Sequence, residues 1–391
     1  MTADTLPTAS LPTSGSTEQL ERISTLRQGM RDAGLTAVAL ASPENIYYLL
    51  GLDHLGYFAF TLLVLPEAGE PILITRAMEA PTIRAQVPWC GHVTFAEDEP
   101  AAAVAAAVLS GVATTGDTVA IDEDSMFFPP VIAAGIRARL PGLRWTSGSD
   151  LLSTQRAVKS PEELECVREA ARISDIAMAT GIAATRPGAT ERTVAAAVYQ
   201  AMIAAGGQPP GFAPLIRGTD MLDREHVGWS DREIRSGQGL FFELSASVRR
   251  YHAPQSRIVY IGHAPDGAAE AAEAARAGLR AAREALHPGA LTGEVYAAWQ
   301  LAVAGRAAPV RPLRHHCGYL VGIGFPPSWV GGGEVLGIRP GGEVRILPGM
   351  VFHLMSWVTQ PAGHVISDTA LVTSAGTELL TTTPRELTVI T

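Results

Sequence analysis

Apolar positions along the chain change their spacing several times, and each change predicts an element. Between Gln19 and Gly34, leucine, isoleucine and methionine recur at helical spacing among charges, and Gly34 stands where a helix C-cap glycine belongs. The run TAVALAS then reads as a strand. After NIYYLLGL and a turn around Gly56 and Tyr57, the runs AFTLLVLP and EPILITR predict two further strands. Helix and strand patterns alternate as far as Trp145, so residues 1–155 predict a small α/β domain. Ser160, Pro161, Glu162 and Glu163 give the sharpest local signal. Serine can cap the free N–H groups of a first turn, proline suits the first helical position, and Glu163 can reach back to complete a capping box. A long helix is expected from there to Ala184, and a second, ERTVAAAVYQAMIAA, ending at Gly206 and Gly207. The segment up to Gly262 has strand character, and GAAEAAEAARAGLRAAREAL reads as an alanine-rich helix. From Gly318 to Thr391 glycine-rich turns alternate with short strands. Residues 156–391 thus predict a second domain, and the class is α/β (α+β) with no internal repeat.

Composition narrows the function classes. Hydrophobic residues make up 47% and charged residues 18% of 391, and no apolar run approaches the ~18 residues of a membrane-spanning helix. A formal charge of -9 argues against a nucleic-acid partner, because neutralising phosphates takes a basic face. Lys159 is the only lysine and Asn45 the only asparagine, a bias that reads as GC-rich coding rather than chemistry. Cys90, Cys166 and Cys317 cannot form a disulfide framework for a chain this long, so a cytoplasmic location is expected. The opening MTADTLPTASLPTSGST lacks a basic stretch followed by an apolar core, and reads as a short disordered leader rather than a secretory signal.

Four polar clusters could carry chemistry: His226 with Asp231 and Arg232, Glu243 inside LFFEL, Tyr251-His252 with Arg257, and His315-His316-Cys317. Glu243 is the most informative, because burying a carboxylate costs several kcal/mol unless it is paired or protonated. That points to a carboxyl of shifted pKa in a cleft; the plainer alternative is a solvent-facing place on an edge strand. For His226 the plainer alternative is a surface histidine beside the SDRE turn. His315, His316 and Cys317 are zinc-ligand types, yet neighbours on a strand point to opposite faces and rarely share one ion. His353 in VFHLM has the setting of a core histidine and is kept as a candidate for the pocket lining. Gly322, Gly324 and the glycines at 331–333 do not form a phosphate loop, since the order strand, G-x-G-x-x-G, helix is missing.

Taken together, these residues resemble the creatinase, methionine aminopeptidase and prolidase superfamily, an M24-like group whose C-terminal domain is the pita-bread fold. NIYYLLGL with GYFAFTLLVLPEAGEP resembles its smaller N-terminal domain, RAVKSPEELECVREAARISD its linker and first catalytic-domain helix, and LPGMVF with ISDTALVT its last strands. In the peptidases of the group, two aspartates, one histidine and two glutamates hold two metals. The resemblance lays the first aspartate on Glu243 and the second, eleven residues on, on Pro254. It lays the histidine of a Gly-His-Gly-Ile-Gly motif on His315, and the glutamates on Met355 and Ser367. Proline, methionine and serine do not replace carboxylates around hard divalent ions, so the resemblance implies no metal and no cofactor. It points to the metal-free branch that includes creatinase and ectoine hydrolase, on the strings FFELSASVRRYHAPQSR, GYLVGIGFPPSW and LPGMVFHLM. The match to creatinase itself is poorer, because its carboxylate-clamping arginine falls near Ala59 and a further glutamate falls on Ser256.

The expectation is a metal-independent hydrolase that cleaves a C–N bond of a small cyclic amidine, guanidino or amide compound. The resemblance makes Glu243 the group that attacks the substrate or activates water, with His226 as acid and base and His315 beside them. Tyr251, His252, Arg257 and His353 are expected to line the pocket, with arginine suited to a substrate carboxylate. Creatinase-like proteins pair so that one small domain closes the other subunit's site, which predicts a homodimer capped by Tyr57 and Phe58. Two alternatives stay open: a metal-dependent Xaa-Pro aminopeptidase or prolidase, and a catalytically silent pita-bread domain used for binding.

Overall fold

The computed structural model describes residues 15–304, 314–331, 335–358 and 362–391. Two compact units form, one up to Arg156 with Gly331 counted in it, the other from Ala157 onward. Residues 1–14, most of the segment read as a leader, lie outside the described residues, as do Gly332 and Gly333.

The first unit opens with the helix Thr17–Asp32, whose N-cap Ser16 exchanges bonds with Gln19 in a capping box. Gly34 closes it at φ +65°, with its N–H bonded to Arg31 O and that of Leu35 to Met30 O, the paired contacts of a Schellman motif. Six strands follow: β1 (Ala37–Leu40), β2 (Leu62–Pro66), β3 (Ile72–Arg76), β4 (Gly91–Phe95), β5 (Thr118–Ile121) and β6 (Arg144–Ser147). They lie in the order β4-β3-β2-β1-β5-β6. The segment NIYYLL forms a helix, Pro43–Leu50, fixed by Pro43 in its first turn and by Gly51 at φ +74°. Asp122 accepts the N–H groups of Ala41 and Ser42 at 2.8 and 2.9 Å, which ties the end of β5 to that of β1. Its burial outweighs those bonds and pushes its carboxyl up to about 7.

The second unit is built on a mostly antiparallel sheet. Its strands are β7 (Leu215–Gly218), β8 (Gly239–Val248), β9 (Tyr251–Ile261), β10 (Gly318–Leu320), β11 (Val351–Val358) and β12 (His364–Thr373), joined by β13 (Gly376–Leu379) and β14 (Thr388–Ile390). The order is β10-β11-β12-β9-β8-β7, with β13 on β12 and β14 on β9. The capping box at Ser160 forms, and the helix it starts runs Pro161–Ala184. Glu191–Ala204 and Ala268–Ala285 are also helical, as is Thr292–Ala304, a helix the sequence patterns did not single out. The first two helices pack on Phe242 and Leu244 of β8, and the last two on Phe352 and Leu354 of β11. Gly181 permits the first contact, since a Cβ there would stand 2.6 Å from Val198 and 3.0 Å from the Phe242 ring. Side chains alternate along a strand, so Glu243 on β8 and His353 and Met355 on β11 face away from those helices. Among the described residues no helix is long and apolar enough to cross a membrane.

Candidate active site

The cross-strand register assembles the site. Leu215, Glu243, Ser256, Ser367 and Met355 are successive partners across β7, β8, β9, β12 and β11, so they form one row on the face opposite the helices. Over this row opens a cavity of about 420 Å³ within the second unit, and Glu243, His226 and His315 all line it. Three residues singled out for catalysis, 17 to 89 positions apart, thus line one cavity. Apolar walls come from Phe212, Trp329, Trp357 and Met355.

The cavity also gathers charge that sequence reading missed. Arg217 is 1% exposed, stacks over the Phe241 ring at 4.7 Å, and donates to the carbonyls of Met221 and Val227, each at 3.2 Å. Arg314 grips Glu225 with two bonds of 2.9 and 3.3 Å and lies over the Trp357 ring at 4.1 Å. Glu243 keeps some accessible surface toward the cavity, but the walls around its carboxyl dominate. Burial pushes it up to about 7, against the downward pull of Arg314 and Arg217 and with a small upward push from Glu225. A carboxyl poised there exchanges its proton near neutrality, as a base or nucleophile must. The signal that could have found Arg217 is the one that found Glu243, a charged residue set in a strand-like apolar run, here LIRG.

His226 is exposed and adopts φ +58°, with its ring edge-to-face on Phe212 at 5.9 Å. A left-handed non-glycine residue costs of order 1–3 kcal/mol and persists where neighbours impose it. Here the Arg217 bond to Val227 O clamps the turn. His315 is exposed as well and meets His316 edge-on at 4.9 Å, while burial and Arg314 push His316 down to about 3. The superfamily's glycine-bracketed motif needs two glycines four apart. Gly318 and Gly322 have the spacing of its outer glycines, with Tyr319 after the first and Leu320 in the central place. Tyr319 sits on β10 opposite His353, whereas His315 precedes the strand.

Four residues expected at the pocket stand elsewhere, and the pleat explains two of them. Glu243 pairs with Ser256, so the adjacent Arg257 must point to the helix face. There it bonds Asp368 at 2.8 Å and the carbonyls of Ser256, Ser367, Thr383 and Pro384. Tyr251 points the same way and donates to Glu163 at 2.7 Å. His252 is fully buried, with Nε2 accepting the Gly211 N–H at 2.8 Å. His353 is also fully buried, and both ring nitrogens are taken by Tyr319 and Ser367. In the first unit Tyr57 is buried against His54, ring centroids 4.2 Å apart, which removes it as a cap. Phe58 is 82% exposed and remains available.

Fold and site define a pita-bread protein with a small creatinase-like N-terminal unit and a pocket centred on a single poised carboxyl. Residues 165–374 match the model of metallopeptidase family M24 and residues 22–158 that of the creatinase/prolidase N-terminal domain; the chain belongs to family M24, as a hydrolase of that family. It is 28% identical to an ectoine hydrolase from Halomonas elongata, over 95% of this chain and 96% of that protein. It is likewise 28% identical to a probable dipeptidase PepE from Mycobacterium tuberculosis, over 92% and 93%. The fold matches a prolidase from Thermococcus sibiricus with a TM-score of 0.85 at 20% identity, covering 96% of this chain and all of that one.

The metals that the family name implies do not fit this donor set. Among the described residues no three His, Cys, Asp or Glu side chains stand close enough together to hold an ion. The row that carries Glu243 continues with two serine hydroxyls and a thioether, which are weak donors for hard divalent ions.

Proposed function

We propose that this protein hydrolyses a C–N bond in a small cyclic amidine, guanidino or amide compound without a metal, in the manner its likeness to an ectoine hydrolase suggests. The observation that carries the reading is Glu243: a carboxyl pushed up to about 7 at the floor of a closed row from which other carboxylates are missing. An amidine or amide carbon is electrophilic. Ionised Glu243 attacks it or takes a proton from the attacking water, and His226, across the same cavity, delivers a proton to the departing nitrogen. The cavity suits a small molecule of mixed polarity, with aromatic walls and two arginines, the buried Arg217 and the half-buried Arg314, that answer substrate carboxylate charge. The protein works in the cytoplasm with no bound cofactor.

A mass-spectrometric screen across ectoine, creatine, related amidines and Xaa-Pro dipeptides tests this, the expected result being one product of substrate plus one water from a cyclic compound, or two products that sum to it from an open-chain one. Turnover is expected to survive EDTA, and the purified protein to contain no stoichiometric transition metal. The likeness to a dipeptidase favours the competing reading. About two divalent ions per chain, with activity lost in chelator and restored by Mn, Co or Zn, would establish it instead.

The site is completed by pairing of two chains, with Phe58 of one small unit reaching the other's cavity. Phe58 is exposed, with the Arg76 guanidinium 5.3 Å from its ring, and so is free to meet a second chain. Light scattering at micromolar concentration should therefore give a dimer; a monomer would sink the idea.

A further inference from the structure

Behind the cavity wall runs a chain of hydrogen-bonding side chains. The Tyr319 hydroxyl is 2.9 Å from His353 Nδ1, His353 Nε2 is 2.6 Å from Ser367 Oγ, and Ser367 Oγ is 2.7 Å from Ser256 Oγ. Ser256, Ser367 and His353 are buried, and Tyr319 alone opens on the cavity. Trp329 Nε1 also bonds the tyrosine oxygen at 3.1 Å, and an indole N–H can only donate.

Counting protons fixes the direction of the chain. Burial, with His316 and Arg314 nearby, pushes His353 down to about 3, so its ring is neutral and carries one N–H. Three hydroxyls and one N–H bring four protons to three bonds, which leaves one proton over. If the bonds run inward from Tyr319, the surplus proton is Ser256's. That hydroxyl is 1% exposed and among the described residues has no partner other than Ser367, so stranding its proton costs ~1–3 kcal/mol. Arrangements of mixed direction strand it on Ser367 or His353, which are buried as deeply. If the bonds run outward, Ser256 donates to Ser367, Ser367 to His353 Nε2, and His353 Nδ1–H to Tyr319. Trp329 and His353 then fill both lone pairs of the tyrosine oxygen, and its own proton has only the cavity to point into.

We propose that Tyr319 is a preset hydrogen-bond donor aimed into the cavity, where it binds the substrate atom that gains electron density as the scissile carbon becomes tetrahedral, and that His353 and Ser367 are positioning residues that hold it in this sense. The choice of target atom rests on the hydrolase reading above; the direction of the donor does not. Burial and the Glu243 carboxylate raise the phenol's pKa, so the group keeps its proton and works as a donor rather than a base. A donor oriented before attack costs no reorganisation when charge develops.

Nitrogen NMR of protein labelled with ¹⁵N-histidine, the His353 signals assigned by their loss in His353→Asn, reads the direction without any substrate. Nδ1 protonated and Nε2 bare is the expected state; the opposite tautomer overturns the proposal. With whichever compound the screen finds to be hydrolysed, Tyr319→Phe should lower kcat by about 10²-fold and move KM less than about threefold, as loss of one oriented donor does. Ser367→Ala should lower kcat about three- to tenfold and shift the tautomer. In the Tyr319→Phe background it should do nothing further to kcat, which a merely structural role would not produce. A Tyr319→Phe enzyme within threefold of wild type removes the donor role. Absence of any turnover by the wild type counts against the hydrolase reading instead, and the tautomer then decides the relay alone.

Discussion

Glu243→Gln is expected to lower kcat by about 10²-fold or more with the fold unchanged, the range set by removing a general base or nucleophile. The amide keeps the shape of the side chain and the row Leu215, Glu243, Ser256, Ser367 and Met355 is held by backbone pairing, so the loss isolates charge from packing. The pH profile adds an independent check. Since the carboxyl is pushed up to about 7 and works when ionised, kcat/KM of the wild type should rise with pH through about 7, and that limb should vanish in the glutamine variant. Stability at this group runs the other way. The folded state holds the proton more tightly than the unfolded chain, at about 4.5, so its contribution is present below 4.5 and is lost as pH rises through 7. His226→Ala should also reduce turnover, and the double variant should lose much less than the product of the two, because groups that serve one proton transfer are not additive. A loss below about threefold for Glu243→Gln would remove it from the mechanism.

What the sequence disclosed was local. The capping box at Ser160 and the glycine at 34 depend on residues three or four apart, and both form where their chemistry places them. Glu243 was legible for the same reason: a carboxylate in LFFEL violates the local pattern, and such violations collect at functional sites. The orientation of Arg257 depends instead on strand register, and that register is fixed by a two-residue turn with no sequence mark. Arg249 and Arg250 hold φ +47° and +66° there, conformations that usually draw asparagine or glycine. With Val248 paired to Tyr251, every side chain of β9 is assigned a face, which puts Ser256 on the face that carries Glu243 and Arg257 on the opposite one. Arg314 and Glu225 were not legible at all, because their pairing spans 89 residues and shows only in the folded chain. Tyr319 lay inside a recognised string, GYLVGIGFPPSW, yet its partner His353 is 34 residues away and its meaning comes from that contact.

The second large effect follows from where Arg257 points. Its guanidinium is 3% exposed and all five of its N–H donors are used: one on Asp368, four on the carbonyls of Ser256, Ser367, Thr383 and Pro384. Asp368, fully buried, is shared with Arg385 Nε at 2.6 Å and with the Thr381 hydroxyl at 2.9 Å. Arg257→Ala strands half of the charge compensation of a buried carboxylate and leaves four carbonyls without their donor, so the second unit should lose about 3–5 kcal/mol of stability. Lysine in its place keeps the charge but not the planar fork and should recover only part of that loss. Urea unfolding followed by tryptophan fluorescence reads both, with Trp299, Trp329 and Trp357 reporting on that unit. The folded fraction of either variant should retain a KM within about twofold of wild type, because Arg257 stands on the helix face and cannot reach a ligand beside Glu243. If Arg257→Ala instead cost less than about 1 kcal/mol and raised KM tenfold or more, the side chain would be a substrate-carboxylate clamp after all, and the facing that the β8–β9 register dictates would be wrong.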